Sequence, residues 1–92
     1  NFNSANFNGA NLNGAKLSGA KLSGANLNGA NFICADLHGV DFNDAYLRGA
    51  DLRRTSGLTW EQLDSAHIDA DTRVPEEFVE RARQKLANAK SE

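Results

Sequence analysis

Large apolar residues recur at a fixed interval of five along the first half of the chain. Every fifth position from residue 2 to residue 52 is leucine or phenylalanine. The members of this series are Phe2, Phe7, Leu12, Leu17, Leu22, Leu27, Phe32, Leu37, Phe42, Leu47 and Leu52. A small residue stands two positions before each of them from Ala5 onward. The series predicts one continuous core built from residues that are far apart in the sequence.

An interval of five fits neither regular secondary structure alone. Successive residues turn by about 100° around an α-helix, so positions five apart drift off any single face. A strand directs every second residue to the same side, which an interval of five cannot match. Short internal repeats are instead typical of solenoids, in which each unit buries its apolar face against its neighbours.

The repeated unit reads Ala-(Asn/Asp)-Leu-X-Gly, as in Ala-Asn-Leu-Asn-Gly at 10–14 and Ala-Asp-Leu-Arg-Arg at 50–54. This motif resembles the pentapeptide-repeat family over residues 1–57. The resemblance implies an all-β solenoid, a right-handed quadrilateral β-helix with one pentad per side and four pentads per coil. The leucine or phenylalanine and the preceding alanine would point inward, and residues 1–57 would form just under three coils.

Each position of the pentad has a physical role in such a solenoid. A fully buried leucine or phenylalanine contributes about 1.5–3 kcal/mol. The second inward residue must be small because a narrow shaft does not tolerate overpacking, so Val40 predicts a slight local distortion. Glycine suits a corner with unusual backbone angles. Because Cys34, Asp44 and Arg54 replace it, we expect that positive φ is not required at every corner.

Four pentads per coil would stack residues that are twenty apart. This register places Lys16 over Asp36 and Lys21 over Asp41, with opposite charges about 4.8 Å apart along the axis. Amide ladders between coils are expected from Asn6 over Asn26, Asn8 over Asn28, and Asn11 over Asn31 and Asp51. The alternative is that these outward side chains are simply solvated.

After Arg54 the repeat stops, and residues 58–92 are predicted to form a C-terminal helical cap with one or two α-helices. Thr59 and Gln62 match a capping box, which predicts a short helix over residues 60–66. Leu58 and Leu63, with Trp60 or Ile68, are expected to close the lower mouth of the shaft.

A second helix is predicted to begin near Pro75, which is followed by two glutamates that favour a helix N-terminus. Its apolar residues recur at helical spacing and are Phe78, Val79, Ala82, Leu86 and Ala89. The helix is expected to fold back on the solenoid, and the alternative is that it forms a dimer.

Charge and chemistry exclude several classes of function. The formal net charge is −2, and residues 1–54 carry five Lys or Arg against four Asp. This balance argues against nucleic-acid binding. His38 and His67 are far apart in the sequence, Cys34 is the single cysteine, and no recognisable catalytic or metal motif is present. We therefore expect no catalytic residue, cofactor or metal site, and no enzymatic activity.

One outward cluster departs from the Asn, Ser and Gly background. We predict an interaction patch consisting of Ile33, Tyr46, Arg48, Arg53 and Arg54, because exposed aromatic, arginine and aliphatic side chains are enriched in interface hot spots. In the alternative, Tyr46 packs on the C-terminal helix. The arginines would then pair with its acids, which are Glu76, Glu77 and Glu80.

The sequence therefore predicts a non-enzymatic protein-interaction or scaffold module with an unknown protein partner, no nucleic acid and no membrane. A homodimer through the N-terminal coil or the C-terminal helix is a second expectation. Some members of the family imitate DNA and protect topoisomerases, so a DNA-mimic inhibitor of gyrase is the alternative function, although it would require a strongly acidic rod. The predicted location is cytoplasmic, or the thylakoid lumen or periplasm if an upstream targeting segment was removed. The resemblance also suggests a cyanobacterial type of protein.

Overall fold

The computed structural model describes residues 2–90, and side chains through residue 88. Its helices are α1 (Trp60–Asp64), a 3-10 helix (Glu76–Phe78) and α2 (Val79–Lys90). Before α1 the chain contains turns linked by single-residue parallel bridges rather than extended strands. The predicted domains also include Asn1, Ser91 and Glu92, which lie outside the described residues, as does the Ala89 side chain.

The backbone N–H groups of a pentad are hydrogen-bonded in a regular pattern, which residues 26–30 illustrate. Asn26 N–H donates to Ala5 O in the preceding coil, whereas Leu27 and Gly29 donate to Tyr46 O and Arg48 O in the following coil. The Asn28 N–H donates to the Asn26 side-chain oxygen at 3.1 Å, and Ala30 N–H closes a turn onto Leu27 O. All five donors are therefore paired, which removes the cost of burying unpaired backbone groups.

The seven bridges between residues 6 and 56 follow the predicted register of twenty residues, so four pentads complete one coil there. The first side stacks Asn6, Asn26, Tyr46 and His67; the second stacks Asn11, Asn31, Asp51 and Arg73; the third stacks Lys16, Asp36 and Ser56; the fourth stacks Lys21 and Asp41. The last bridges on the first two sides join Tyr46 to His67 and Asp51 to Arg73. The ladder thus continues past residue 57, so part of the segment predicted as a separate cap also belongs to the last coil.

The expectation about the corners is wrong. Cys34, Asp44 and Arg54 have φ of 64°, 59° and 60°, as the corner glycines do, and Ser4 has 62°. In the ten turns from residues 2–5 to residues 47–50, the N–H of the fourth residue bonds to the oxygen of the first, and positive φ falls at the third residue. That is the φ pattern of a type II turn, for which glycine is preferred but not required. Positive φ is therefore a property of every corner.

The large series residues fill the shaft unevenly. Leu22, Leu27, Phe32, Leu37, Phe42, Leu47 and Leu52 are all no more than 2% exposed. Phe7, Leu12 and Leu17 are half-buried and pack against this core, because in the described residues their coil has a neighbour on one side. Phe2, which was also assigned to the core, is 47% exposed and makes an edge-to-face contact with Phe7. Val40 fits the small position at 3% exposure.

The predicted amide ladders are largely replaced by bonds within each turn. The side-chain oxygens of Asn6, Asn11, Asn26 and Asn31 accept from the backbone N–H two residues later. Asp36, Asp41 and Asp51 do the same. Lys21 and Tyr46 stand at the same position of their pentads and cannot accept in this way, so an asparagine from the preceding coil supplies the oxygen. Asn3 accepts from Ser23 N–H, and Asn28 accepts from Arg48 N–H.

The predicted stacking of charges is present in the backbone register, but it does not set the carboxylate contacts. Lys16 bridges to Asp36 and Lys21 to Asp41. The Asp36 carboxylate, however, contacts Nδ1 of His38 at 2.6 Å. This hydrogen bond is the main reason that the pKa of Asp36 is lowered, whereas Lys16 has a smaller effect.

Helix α1 begins as predicted and ends two residues earlier. Thr59 is its N-cap, with both hydrogen bonds of the capping box to Gln62 in place. The Gln62 amide also donates through Nε2 to Leu37 O and Val40 O, both at 2.9 Å. Leu63 is fully buried in the same core as the pentad residues. Helix α1 thus occupies the place of a pentad on the fourth side of the last coil.

Side chains also complete the hydrogen bonds of the last coil on its first side. The Asp69 carboxylate accepts from Gly49 N–H at 3.1 Å. The Thr72 hydroxyl donates to Leu47 O at 2.8 Å and accepts from Asp69 N–H. Ile68 and Val74 are buried below the shaft. These contacts hold the chain between the two helices against the coil.

Candidate interaction surface

The structure places the predicted patch on two neighbouring sides of the solenoid. Tyr46 and Arg48 lie on the first side, whereas Arg53 and Arg54 lie on the second, below the half-buried Ile33. Cys34 N–H donates to Arg53 O, which fixes this vertical order. The patch therefore divides into two groups at a corner.

Tyr46 is the centre of the first group, which we call the Tyr46 cluster and which consists of Tyr46, Arg48 and His67. The Tyr46 ring stacks on the His67 imidazole with centroids 4.8 Å apart and an interplanar angle of 19°. The Arg48 guanidinium lies 5.6 Å from the Tyr46 centroid, within the range of a cation–π contact. Although these contacts fix its orientation, Tyr46 stays 38% exposed. The cluster therefore presents an oriented aromatic surface to solvent.

Arg53 dominates the second group through its contact with Asp51. Its Nε donates to one carboxylate oxygen of Asp51 at 2.9 Å, and a terminal nitrogen donates to the other at 2.6 Å. This bidentate pairing lowers the pKa of Asp51 and raises that of Arg53. Arg54 is exposed at a corner with positive φ. The second group is thus partly neutralised, whereas Arg48 of the Tyr46 cluster makes no ion pair among the described residues.

The alternative prediction was that Tyr46 packs on the C-terminal helix and that the arginines pair with the acids of that helix. Both parts are wrong. Tyr46 packs on His67 rather than on α2, and Arg53 pairs with Asp51. Among the acids of the C-terminal helices, Glu80 pairs with Arg83 at 3.5 Å. The patch arginines make no ion pair with Glu76, Glu77 or Glu80 among the described residues.

Sequence reasoning missed His67 as a member of the cluster. Tyr46 and His67 are 21 residues apart because the segment containing α1 is one residue longer than the pentads it replaces. Asp51 and Arg73 are 22 apart because the segment between His67 and Arg73 adds a second residue. A strict register of twenty would have placed Ala66 below Tyr46. The capping box at Thr59 was the available signal that the spacing changes there.

Other chemistry is sparse in the part of the chain that the structure describes. No group of three or more His, Cys, Asp or Glu side chains there is arranged to hold a metal ion. Cys34 is a free, exposed thiol. Within residues 2–90, no helix has the length and apolar character needed to cross a membrane.

Comparison with known families gives a clear result. A model of pentapeptide repeats matches the chain in eight copies, over residues 1–32 and 20–56. No curated protein gives a significant match to the sequence.

Two solved structures illustrate the likeness. One is a trypsin-treated variant of QnrB1, described as a plasmid-mediated fluoroquinolone resistance protein, with 26% identity and a TM-score of 0.42. It covers 75% of this chain, whereas this chain spans 38% of its length. The other is alr5209, a pentapeptide repeat protein from Nostoc Pcc 7120, with 33% identity over 84% of this chain and 75% of that one, and a TM-score of 0.37. At these TM-scores neither structure adds an argument about function.

Proposed function

The chain belongs to the pentapeptide-repeat family and so forms a right-handed β-helix, and we propose that it is a non-enzymatic protein-interaction or scaffold module. The fold suits this role because its paired backbone presents outward side chains at fixed spacing.

The observation that carries the proposal is the Tyr46 cluster. An exposed tyrosine that contacts both an arginine and a histidine ring brings together two of the residue types, Tyr and Arg, that dominate interface hot spots. Because the ring is already oriented, it would lose little conformational entropy when a partner covers it. We therefore propose the first side of the solenoid as the primary contact surface, with Arg53 and Arg54 at its edge.

We also propose that residues 1–57 are the solenoid module and that residues 58–92 cap it. The burial of Leu63, Ile68 and Val74 supports the cap. The hydrogen bonds from Gln62 and Thr72 to carbonyls of the preceding coil support it as well. A capped end would protect the solenoid from edge-to-edge association.

Affinity capture from a lysate of the source organism tests the interaction surface. We expect Tyr46→Ala and Arg48→Glu each to reduce the recovery of a specific partner about tenfold or more, as hot-spot substitutions do. The double variant Arg53→Glu, Arg54→Glu should show a smaller loss, because Arg53 is already paired with Asp51. Recovery is measured by quantitative mass spectrometry.

The control is Lys21→Glu, which reverses an exposed charge on the fourth side, away from the Tyr46 cluster. It should retain the partner, and the melting temperature of each variant shows whether the fold is intact. Full retention by folded Tyr46→Ala and Arg48→Glu chains would contradict the proposed surface.

The alternative of a DNA-mimic gyrase inhibitor receives no support from the stacked side chains. The second side carries asparagine, asparagine, aspartate and arginine in order, and the third carries lysine, aspartate and serine. These stacks do not form a column of carboxylates. The predicted homodimer and the cytoplasmic location both stay predictions.

A further inference from the structure

A groove of about 570 Å³ runs between α2 and the lower edge of the second side. Its walls include Arg73 and Val74 from the coil, with Val79, Ala82, Arg83 and Leu86 from α2. Val74 and Ala82 are buried at its floor, whereas Val79 is 40% exposed. The groove therefore combines an aliphatic floor with a basic rim.

Helix α2 is attached to the molecule away from this groove. Lys85 Nζ donates to the backbone and side-chain oxygens of Asp64, at 2.9 and 3.1 Å. The Trp60 ring contacts Phe78, and the Arg81 guanidinium lies 5.9 Å from the Trp60 centroid. Trp60, Asp64, Arg81 and Lys85 are not among the residues that line the groove. These attachments leave the groove open.

An unpaired backbone edge lies along the groove. In a regular coil, the carbonyl before a bridge residue accepts from the following coil and the N–H after it donates there, as with Ala10 O and Leu12 N–H on either side of Asn11. At the last bridge on this side, Arg73, the equivalent groups are Thr72 C=O and Val74 N–H. Neither has a hydrogen-bond partner within residues 2–90. The edge can therefore accept one more extended segment.

The charge of the rim favours an acidic segment. Arg73 stacks directly below Asp51, but the Asp51 carboxylate is bound by Arg53. Arg83 pairs with Glu80, and the Asp69 carboxylate accepts from Gly49 and Asp71 N–H. Arg73 itself makes no ion pair with a side chain of the described residues. It is thus the available cation beside the open edge.

We propose that this groove binds an extended segment of a protein partner in which an acidic residue is followed by an aliphatic residue. The segment adds to the edge as the next coil would, so its acidic residue stacks below Arg73 and its aliphatic residue packs toward Val74, Ala82 and Leu86. The N–H of the acidic residue donates to Thr72 O, and its carbonyl accepts from Val74 N–H. This inference rests on the proposed interaction function and specifies the chemistry of a partner.

The test is an NMR titration of the isotope-labelled chain with the peptide acetyl-Ala-Asp-Leu-Ser-Gly-amide. We expect saturable shifts at the amides of Thr72, Arg73, Val74 and Ala82, with the Val74 N–H becoming protected from hydrogen exchange. A peptide with N-methylated aspartate cannot donate to Thr72 O, and one with lysine in place of aspartate faces Arg73 with like charge. Both should bind about tenfold more weakly or worse.

Reversal of the charge gives a result that unfolding cannot imitate. The Arg73→Glu chain should lose the aspartate peptide and gain the lysine peptide, whereas Lys21→Glu should bind as the parent chain does. Shifts away from the groove, none at all, or equal binding of the N-methylated peptide would overturn the proposal. Such a failure would leave partner capture through the Tyr46 cluster unaffected, so the two proposals can fail separately.

Discussion

Replacing Phe32 by alanine should destabilise the protein by about 3–5 kcal/mol. Phe32 is fully buried in the shaft and packs edge-to-face on Phe42 with ring centroids 6.0 Å apart. Its neighbours are held by hydrogen bonds between coils, so they cannot collapse into the space that the ring leaves. Urea unfolding followed by circular dichroism measures the change. A loss of this size is a large part of the stability of an ordinary small domain.

The matched control is Phe2→Ala, because Phe2 occupies the same position of its pentad. Phe2 is 47% exposed and contacts Phe7 at the open face of the first coil. Because much of the Phe2 side chain stays in contact with water, removal of its ring should lower the free energy of unfolding by about 1 kcal/mol or less. Equal destabilisation by the two substitutions would show that position in the pentad, rather than burial in the coil, decides the contribution.

Replacing Leu63 by alanine should cost about 2–5 kcal/mol, although Leu63 lies outside the repeats. The Leu63 side chain is fully buried, with 0% solvent exposure, and belongs to the same core cluster as Leu37 and Leu52. A cavity there would weaken both α1 and the coil above it. Chemical unfolding gives the total loss, and hydrogen exchange at the Leu47 and Leu52 amides reports on the last coil.

Leu58→Ala provides the comparison for Leu63→Ala, because it makes the same chemical change in the same segment at a half-buried position. We expect a smaller loss from it. If Leu63→Ala instead left the stability and the exchange rates of the last coil unchanged, residues 58–92 would not act as the cap that we propose.

The strict interval of five predicted a solenoid, and the resemblance to the pentapeptide-repeat family implied four pentads per coil. The backbone angles at the corners were not. Cys34 and Asp44 adopt positive φ, at a cost of about 1–2 kcal/mol for an L-residue, because their N–H groups bond to Arg53 O and Ser65 O of the following coil. Residue preference alone could not show that long-range hydrogen bonds override it.

The candidate surfaces were predictable only in part. Tyr46 and Arg48 stood out by residue type, and the register placed them on one side. The contributions of His67 and Arg73 depend on how many residues the segment containing α1 adds to the last coil, which no repeat pattern specifies. The groove beside Arg73 also depends on where α2 attaches. That position is set by contacts such as the ion pair between Lys85 of α2 and Asp64 of α1, which lie outside the repeats.

Through-hydrogen-bond NMR couplings test the stacking of the coils most directly, because each coupling identifies the donor and the acceptor of one bond. We predict correlations from Leu12 N–H to the Asn31 carbonyl and from Leu27 N–H to that of Tyr46, each 19 residues along the chain. In the last coil the spacing should lengthen, with Leu47 N–H coupled to His67 and Leu52 N–H to Arg73. Couplings from the Leu12 or Leu27 N–H to a carbonyl at any other spacing, or a ladder that ends before His67, would contradict the account.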